Sequence, residues 1–351
     1  MEWIFSWRGY VLMTNIRRAL QAAAGTGGGS DIAVAHYNSP FVSVYPWDAG
    51  FGVKYANPAT LPDGVGTSVD FSSDGADIAV SGSGNPSISV YPWSSGFGTK
   101  YADPSTLPDP ATQSNEVAFS SSGDIAVAMG ASPHVYAWPF SSASGFGTVY
   151  ADPSTLPSGQ CSGVAFSPAG TDIAVSCISS PYVVAYPWSS GFGSKYADPA
   201  TLPGSNPRSV GFSPDGNTIA VTHYPSPSVT AYPWSSGFGT KYADPATTYT
   251  GGYFAAFTPD SSTIAIVHQA TPFISVYPWG PGFGTKYADP SSLPVATGLG
   301  VAFSSDGADI AVSCHGSPYI VAYPWSSGFG TKYANPATLP VGAGASVVFS
   351  P

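Results

Sequence analysis

An Ile-Ala pair followed by Val or Ile returns seven times, at Ile32, Ile78, Ile125, Ile173, Ile219, Ile264 and Ile310, with successive spacings of 46, 47, 48, 46, 45 and 46 residues. Tyr-Pro-Trp, Gly-Phe-Gly and Tyr-Ala-Asp/Asn-Pro recur in the same order within most units. A fixed period in the forties, filled with short β-like runs, predicts a propeller with one four-stranded blade per unit. The array covers residues 31–351, so the length does not call for a second domain.

One unit shows how the residues dictate this. Val210-Gly211-Phe212-Ser213 alternates large and small, as a strand does. Pro214-Asp215-Gly216 supplies a tight turn, and Thr218-Ile219-Ala220-Val221-Thr222 runs back. Ser228-Val229-Thr230-Ala231-Tyr232 makes a third strand, which Pro233 ends because proline donates no hydrogen bond. Gly237-Phe238-Gly239-Thr240-Lys241-Tyr242 is expected as a fourth. Between the large residues of the innermost strands lie Ala118, Ala165, Gly211, Ala256 and Ala302, small enough for seven strands to crowd around an axis; Asp70 and Val348 are the exceptions. The first unit starts at its second strand and the last ends on an innermost strand. Val347, Val348 and Phe349 are therefore expected to complete the first blade and close the ring, removing exposed sheet edges. The predicted fold is all-β: a seven-bladed β-propeller of four-stranded blades, closed by the C-terminal strand and preceded by a short N-terminal helix.

Charge narrows the function classes. Only 9% of residues are charged and the net charge is −10, so the array offers little to neutralise phosphates, and nucleic acid is not an expected partner. No apolar run is long enough to span a membrane. Cys161, Cys177 and Cys314 form no framework and no CxxC, and disulfide dependence is not expected. Residues 1–12 contain Glu2 and Arg8 and lack the pattern of a signal peptide; they read as an upstream extension, with Met13 an alternative start. Residues 13–25 predict a short helix, with Ile16, Ala19, Leu20 and Ala23 on one face, that serves as an attachment segment. Residues 26–30 read as a glycine-rich linker.

Comparison among units points to one variable face. The turns between first and second and between third and fourth strands barely change, whereas the opposite loops diversify. The latter offer His36, Tyr37, Asn38, Gln113, Asn115, Glu116, Gln160, Arg208, His223, Tyr224, Tyr249, Tyr253, His268, Gln269 and His315 as a candidate binding face. Such a set reads as a recognition surface or as loops drifting free of packing constraints. The recurrent Trp47, Trp93, Trp138, Trp188, Trp234, Trp279 and Trp325 read as packing between blades in preference to a sugar-stacking ring. The third unit departs, with Tyr136-Ala137-Trp138-Pro139 in place of Tyr-Pro-Trp.

Catalytic signatures are sparse. His36, His223 and His268 share a repeat position with Cys177, Cys314 and Met129, but equivalent strands of different blades are too far apart for one ion. No metal and no cofactor are expected. Asp70 and Glu116 are the acids outside turns, and nothing in the sequence pairs them as a glycosidase would require. No catalytic motif of the common hydrolases or nucleotide-binding enzymes appears, and the chain is expected not to be an enzyme.

Val164-Ala165-Phe166-Ser167-Pro168 and Val210-Gly211-Phe212-Ser213-Pro214-Asp215-Gly216 resemble the opening of WD-repeat units. The array is also similar to bacterial YVTN-type propeller repeats, although Gly-His and terminal Trp-Asp are missing. Asn15-Ile16-Arg17-Arg18-Ala19-Leu20-Gln21-Ala22-Ala23-Ala24-Gly25 resembles leaders of phage tail-associated virion proteins. That resemblance implies a non-enzymatic virion module, in a tail or decoration position. It would contact a cell-surface glycan, a receptor protein or a neighbouring virion subunit, with residues 13–25 as the attachment. The alternative is an intracellular WD-like protein-interaction scaffold.

Overall fold

The computed structural model describes residues 30–106 and 114–351. The expected extension at 1–12, the helix at 13–25, most of the linker at 26–30 and Gln113 lie outside the described residues. Among those described there is no helix. Strands build seven antiparallel sheets of three to four strands each, which points to a seven-bladed propeller.

From the inside outward, blade 2 runs Gly66–Phe71, Asp77–Gly82 and Ile88–Pro92. Blade 3 runs Ser114–Phe119, Asp124–Met129 and Val135–Ser141, blade 4 Cys161–Phe166, Asp172–Cys177 and Val183–Pro187, and blade 5 Pro207–Phe212, Thr218–His223 and Val229–Pro233. Blade 6 has Gly252–Phe257, Thr263–His268 and Ile274–Gly280, and blade 7 has Gly298–Phe303, Asp309–Cys314 and Ile320–Pro324. Blade 1 takes its innermost strand, Gly344–Phe349, from the C-terminal end of the chain. That strand pairs antiparallel with Asp31–His36, setting Val347 opposite Val34 and Phe349 opposite Ile32.

The fourth strand is shorter than expected. Only blades 3 and 6 have one, Gly145–Phe146 and Gly282–Phe283, and elsewhere it shrinks to a single bridge such as Trp93 to Phe97. The outer segment is tethered at separate points: in blade 2, Gly98 N donates to Pro92 O at 2.8 Å and Tyr101 N to Val90 O at 2.9 Å. Pro92 has no N–H to continue a ladder. Phe97 still folds back, its ring edge-on to Trp93 at 5.0 Å.

The core lies between blades. Seven clusters of buried residues each combine one face of a blade with the facing side of the next. One joins Ala311, Ile320 and Ala322 of blade 7 to Ile32, Tyr45, Trp47, Val347 and Phe349 of blade 1. The recurrent tryptophans sit here, as packing requires, and none is offered to a ligand ring: Trp47 is 3% exposed and Trp325 6%. Blade 3 is out of phase with the expected alignment. Trp138 faces Ile125, the register that Tyr45 holds against Ile32, so Phe140 takes the tryptophan position and packs edge-on against Tyr101 and Phe146.

A polar latch crosses these apolar seams. Asp31 accepts a hydrogen bond from Tyr55 OH of its own blade at 2.9 Å and from Trp93 Nε1 of the next at 2.9 Å. The arrangement recurs at Asp124 with Tyr150 and Trp188, and at Asp172 with Tyr196 and Trp234. At Asp309 the donors are Tyr333 and Trp47, linking the last blade to the first. At Asp77, where the next blade offers Phe140, Ser142 Oγ donates in place of indole. Blades 5 and 6 carry Thr218 and Thr263 at this position. A hydrogen bond to a charged acceptor contributes about 1.5–3 kcal/mol. Trp47→Phe is therefore expected to lower the unfolding free energy by about that much more than Trp279→Phe, whose indole faces Thr218 at the latch position of the neighbouring blade; equal losses in denaturant titrations would remove the latch as a stabilising element.

Candidate functional site

Each innermost strand should alternate its side chains, but a β-bulge near its start breaks the alternation. The register shifts between Gly66 and Ser68, Ser114 and Glu116, Cys161 and Gly163, Pro207 and Ser209, Gly252 and Phe254, and Gly298 and Gly300. Bulges re-aim side chains beside sites. Here residues two and three of the strands, such as Arg208 with Ser209, both line one cavity of about 430 Å³. All seven innermost strands contribute to it, so it is the mouth of the axial channel.

The mouth has two sides. Blades 2 to 5 supply Thr67, Ser68, Asn115, Glu116, Ser162, Arg208 and Ser209 with Ile178 and Pro207 among them, whereas blades 6, 7 and 1 supply Tyr253, Phe254, Leu299 and Ala345 with one hydroxyl residue, Ser346. On the polar side, residue two of each strand is stapled to the next blade: Thr67 Oγ1 donates to Ser114 O at 2.8 Å, Asn115 Nδ2 to Cys161 O at 2.6 Å, and Ser162 Oγ to Pro207 O at 2.8 Å. Arg208 breaks the series. Its guanidinium lies 5.4 Å from the Tyr253 ring centroid, and its buried Nε has no hydrogen-bond partner. The six lysines sit on the outer segments beside an Asp or Asn three residues on, including Lys286 with Asp289 and Lys332 with Asn335.

Glu116 is the chemical centre of this mouth. It is 8% exposed and reaches across blade 4, where Val164 N donates to its carboxylate at 3.3 Å, to blade 5, where Ser209 Oγ donates at 3.2 Å. Gly163 makes the reach possible, since a Cβ there would lie 2.8 Å from Glu116 Oε2. Burial raises the Glu116 pKa well above the ordinary carboxylate range; the two donors oppose this, and the charge of Asp70 adds to it. Asp70, on the neighbouring innermost strand, accepts from Phe119 N at 2.8 Å and Phe71 N at 3.0 Å, and burial pushes it up to about 7. Asp70 does not line the mouth, and its charge is the smallest of the influences on Glu116.

The candidate face divides. Tyr37, Asn115, Glu116, Gln160, Arg208 and Tyr253 converge on the mouth. His36, His223 and His268 do not: each is fully buried, with Nε2 bonded to Ser43, Thr230 and Ser275 respectively, and burial lowers each pKa to about 4. Tyr249 stacks on His268 at 4.1 Å and lines a separate rim cavity. Asn38, Tyr224, Gln269 and His315 are exposed on loops away from the mouth lining. Sequence reading missed Thr67, Ser68, Ser162, Ser209, Phe254, Leu299 and Ser346, because strict alternation hides half of them. A column comparison would have found them: residue two of the innermost strands reads Thr, Asn, Ser, Arg, Tyr, Leu, Ala, while residue four is Val in all but one blade. Against expectation, Cys161 and Cys177 are joined by a disulfide. They face each other at the bulge, beside the mouth residues Gln160, Ser162 and Ile178.

No family model matches the chain, and no curated protein sequence is significantly similar to it. Solved structures are similar in fold. A candidate 6-phosphogluconolactonase from Bacteroides uniformis superposes with a TM-score of 0.68 at 15% identity, covering 92% of this chain and 100% of that one. A second from Bacteroides fragilis gives 0.71 at 12% identity, covering 92% and 98%. The periplasmic gluconolactonase of Pseudomonas aeruginosa gives 0.68 at 16% identity, covering 92% and 99%. At these identities the likeness is one of fold. A chain of the mitotic checkpoint complex, at 0.59 and 16% identity over 88% and 90%, accords with the WD-like part of the resemblance; none of these neighbours supports the phage or virion part. The expectation of a non-enzymatic virion module is overturned: these three fold neighbours carry the enzyme names 6-phosphogluconolactonase and gluconolactonase. The scaffold alternative is no better supported.

The raised acid at Asp70 makes a prediction about stability. Between the ordinary value near 3.8 and about 7, the folded protein holds a proton that the unfolded chain has released, so this site's stabilising contribution is complete below about pH 4 and is lost as pH rises through about 7. Asp70→Asn should therefore gain melting temperature relative to the native protein between pH 4 and pH 8. A difference that does not change with pH would place the Asp70 pKa in the ordinary range.

Proposed function

We propose that the seven blades close into a ring, with strand 344–349 completing the first, and that the channel mouth hydrolyses a cyclic ester, a lactone. The observation that carries this reading is Glu116, buried in the mouth with a raised pKa and aligned by Ser209 and Val164. The lactonase names of the fold neighbours support the choice of reaction. A general base needs a pKa near the working pH, and burial moves a glutamate toward it.

In the proposed reaction, water attacks the lactone carbonyl carbon while the ionised Glu116 carboxylate takes a proton from it. The carbonyl oxygen gathers negative charge, which the positive Arg208 guanidinium lining the same mouth stabilises. The ring C–O bond then breaks, and its oxygen leaves as an alcohol with the proton held by Glu116. The product is an open-chain hydroxy acid, which releases its own proton to solvent. Ser209 is a positioning residue that fixes the carboxylate.

Glu116→Gln keeps the shape and the Ser209 contact but cannot take the proton. It is expected to lower kcat for a simple lactone by about 10²–10⁴-fold while leaving the melting temperature within a few degrees of the native value. The native rate above background should rise with pH through a value above the normal carboxylate range, and the variant should lose that step. A variant with undiminished kcat would refute base catalysis by Glu116.

A further inference from the structure

The division of the mouth into a polar and an apolar side bears on what enters it. Around the axis, residues two and three of the innermost strands run Thr67-Ser68, Asn115-Glu116, Ser162-Gly163 and Arg208-Ser209, then change to Tyr253-Phe254, Leu299-Gly300 and Ala345-Ser346. The change is contiguous, occupying blades 6, 7 and 1. None of Tyr253, Phe254, Leu299 and Ala345 is fully buried, so these side chains face the cavity rather than only the seams. Val295 and Val341, on the loops that lead into the last two of these strands, are 55% and 46% exposed, and Tyr37 at the rim is 42% exposed.

A fully hydroxylated ring would leave hydroxyls against Phe254, Leu299 and Ala345 without hydrogen-bond partners, and an unsatisfied polar group costs more than an apolar one in such a place. A ligand with an ester ring at one end and a hydrocarbon group at the other meets both sides. We infer that the substrate is an amphiphilic lactone, whose ring carbonyl lies toward Glu116 and Arg208 and whose alkyl or aryl substituent covers Phe254 and Leu299. This rests on the lactonase reading for the fate of the ring, but the choice of substituent follows from the walls alone.

The test uses a series of γ-lactones with straight side chains from methyl to octyl, their non-hydrolysable lactam counterparts, and glucono-δ-lactone. Each methylene buried on the apolar side should raise lactam affinity in calorimetry about fourfold until the wall is covered, and kcat/KM for the lactones should climb in parallel. Leu299→Ser and Phe254→Ser should flatten both slopes. Lactam affinity independent of chain length, or a higher kcat/KM for glucono-δ-lactone than for the octyl compound, would overturn the inference. Chain-dependent lactam binding with no lactone hydrolysed would leave the amphiphilic ligand in place and refute the hydrolytic reading instead.

Discussion

The carboxylate that opens the second strand holds the assembly to its geometry. Each of Asp31, Asp124, Asp172 and Asp309 stands at the seam between two blades and takes one hydrogen bond from each, a tyrosine hydroxyl from its own outer segment and an indole N–H from the neighbour. Apolar packing between blades is non-directional, so it brings sheets together without setting their rotation. Two directed bonds to one nearly buried anion do set it, because a displaced blade would leave charge without partners. Where the carboxylate is absent, at Thr218 and Thr263, the aromatic cluster is retained: Trp279 still meets Tyr242, Phe257 and Phe283 edge-on.

Holding the blades at their seams frees the axis. The apolar contacts between blades lie on the middle and outer strands and on residues four and six of the innermost ones, such as Val347 and Phe349, while residues two and three of the innermost strands face the channel mouth through a bulge. Those positions can differ from blade to blade without loss of packing, and they do. The same logic explains the buried histidines. His36, His223 and His268 end their second strands at the bulge level, on the face that varies, yet each is consumed by a hydroxyl on the adjacent strand. Variation at a position is thus not evidence that the side chain meets a ligand; its direction decides.

Much of the fold was legible because it depends on period and residue class. The repeat near 46 residues, the small residues around the axis and the pairing of the last strand with the first follow from pattern alone. The fourth strand was over-read because a run with strand-like residues, such as Gly237–Tyr242, says nothing about whether its N–H groups find a ladder. Trp138 was misaligned because its neighbour Pro139 imitates the repeat, whereas the register puts Phe140 in the packed place. The Cys161–Cys177 bond was readable in principle, since a hairpin of two six-residue strands sets those positions opposite each other; spacing rules built on CxxC do not look across a hairpin.

Glu116 was named from the sequence as an acid outside turns, and its role was not legible, for a physical reason. Its pKa is set by three blades at once: burial beside the axis, Ser209 from blade 5 and Val164 from blade 4, with the Asp70 charge of blade 2 nearby. None of these is adjacent in sequence; Ser209 is 93 residues away. A repeat protein builds its site from equivalent positions of different units, so any search confined to local spacing sees each unit as nearly the same turn and strand. At the mouth the departures from the repeat concentrate where glutamate, arginine and serine replace the small or apolar residues found in sister blades. A channel that is symmetric in backbone is thereby made asymmetric in charge and polarity.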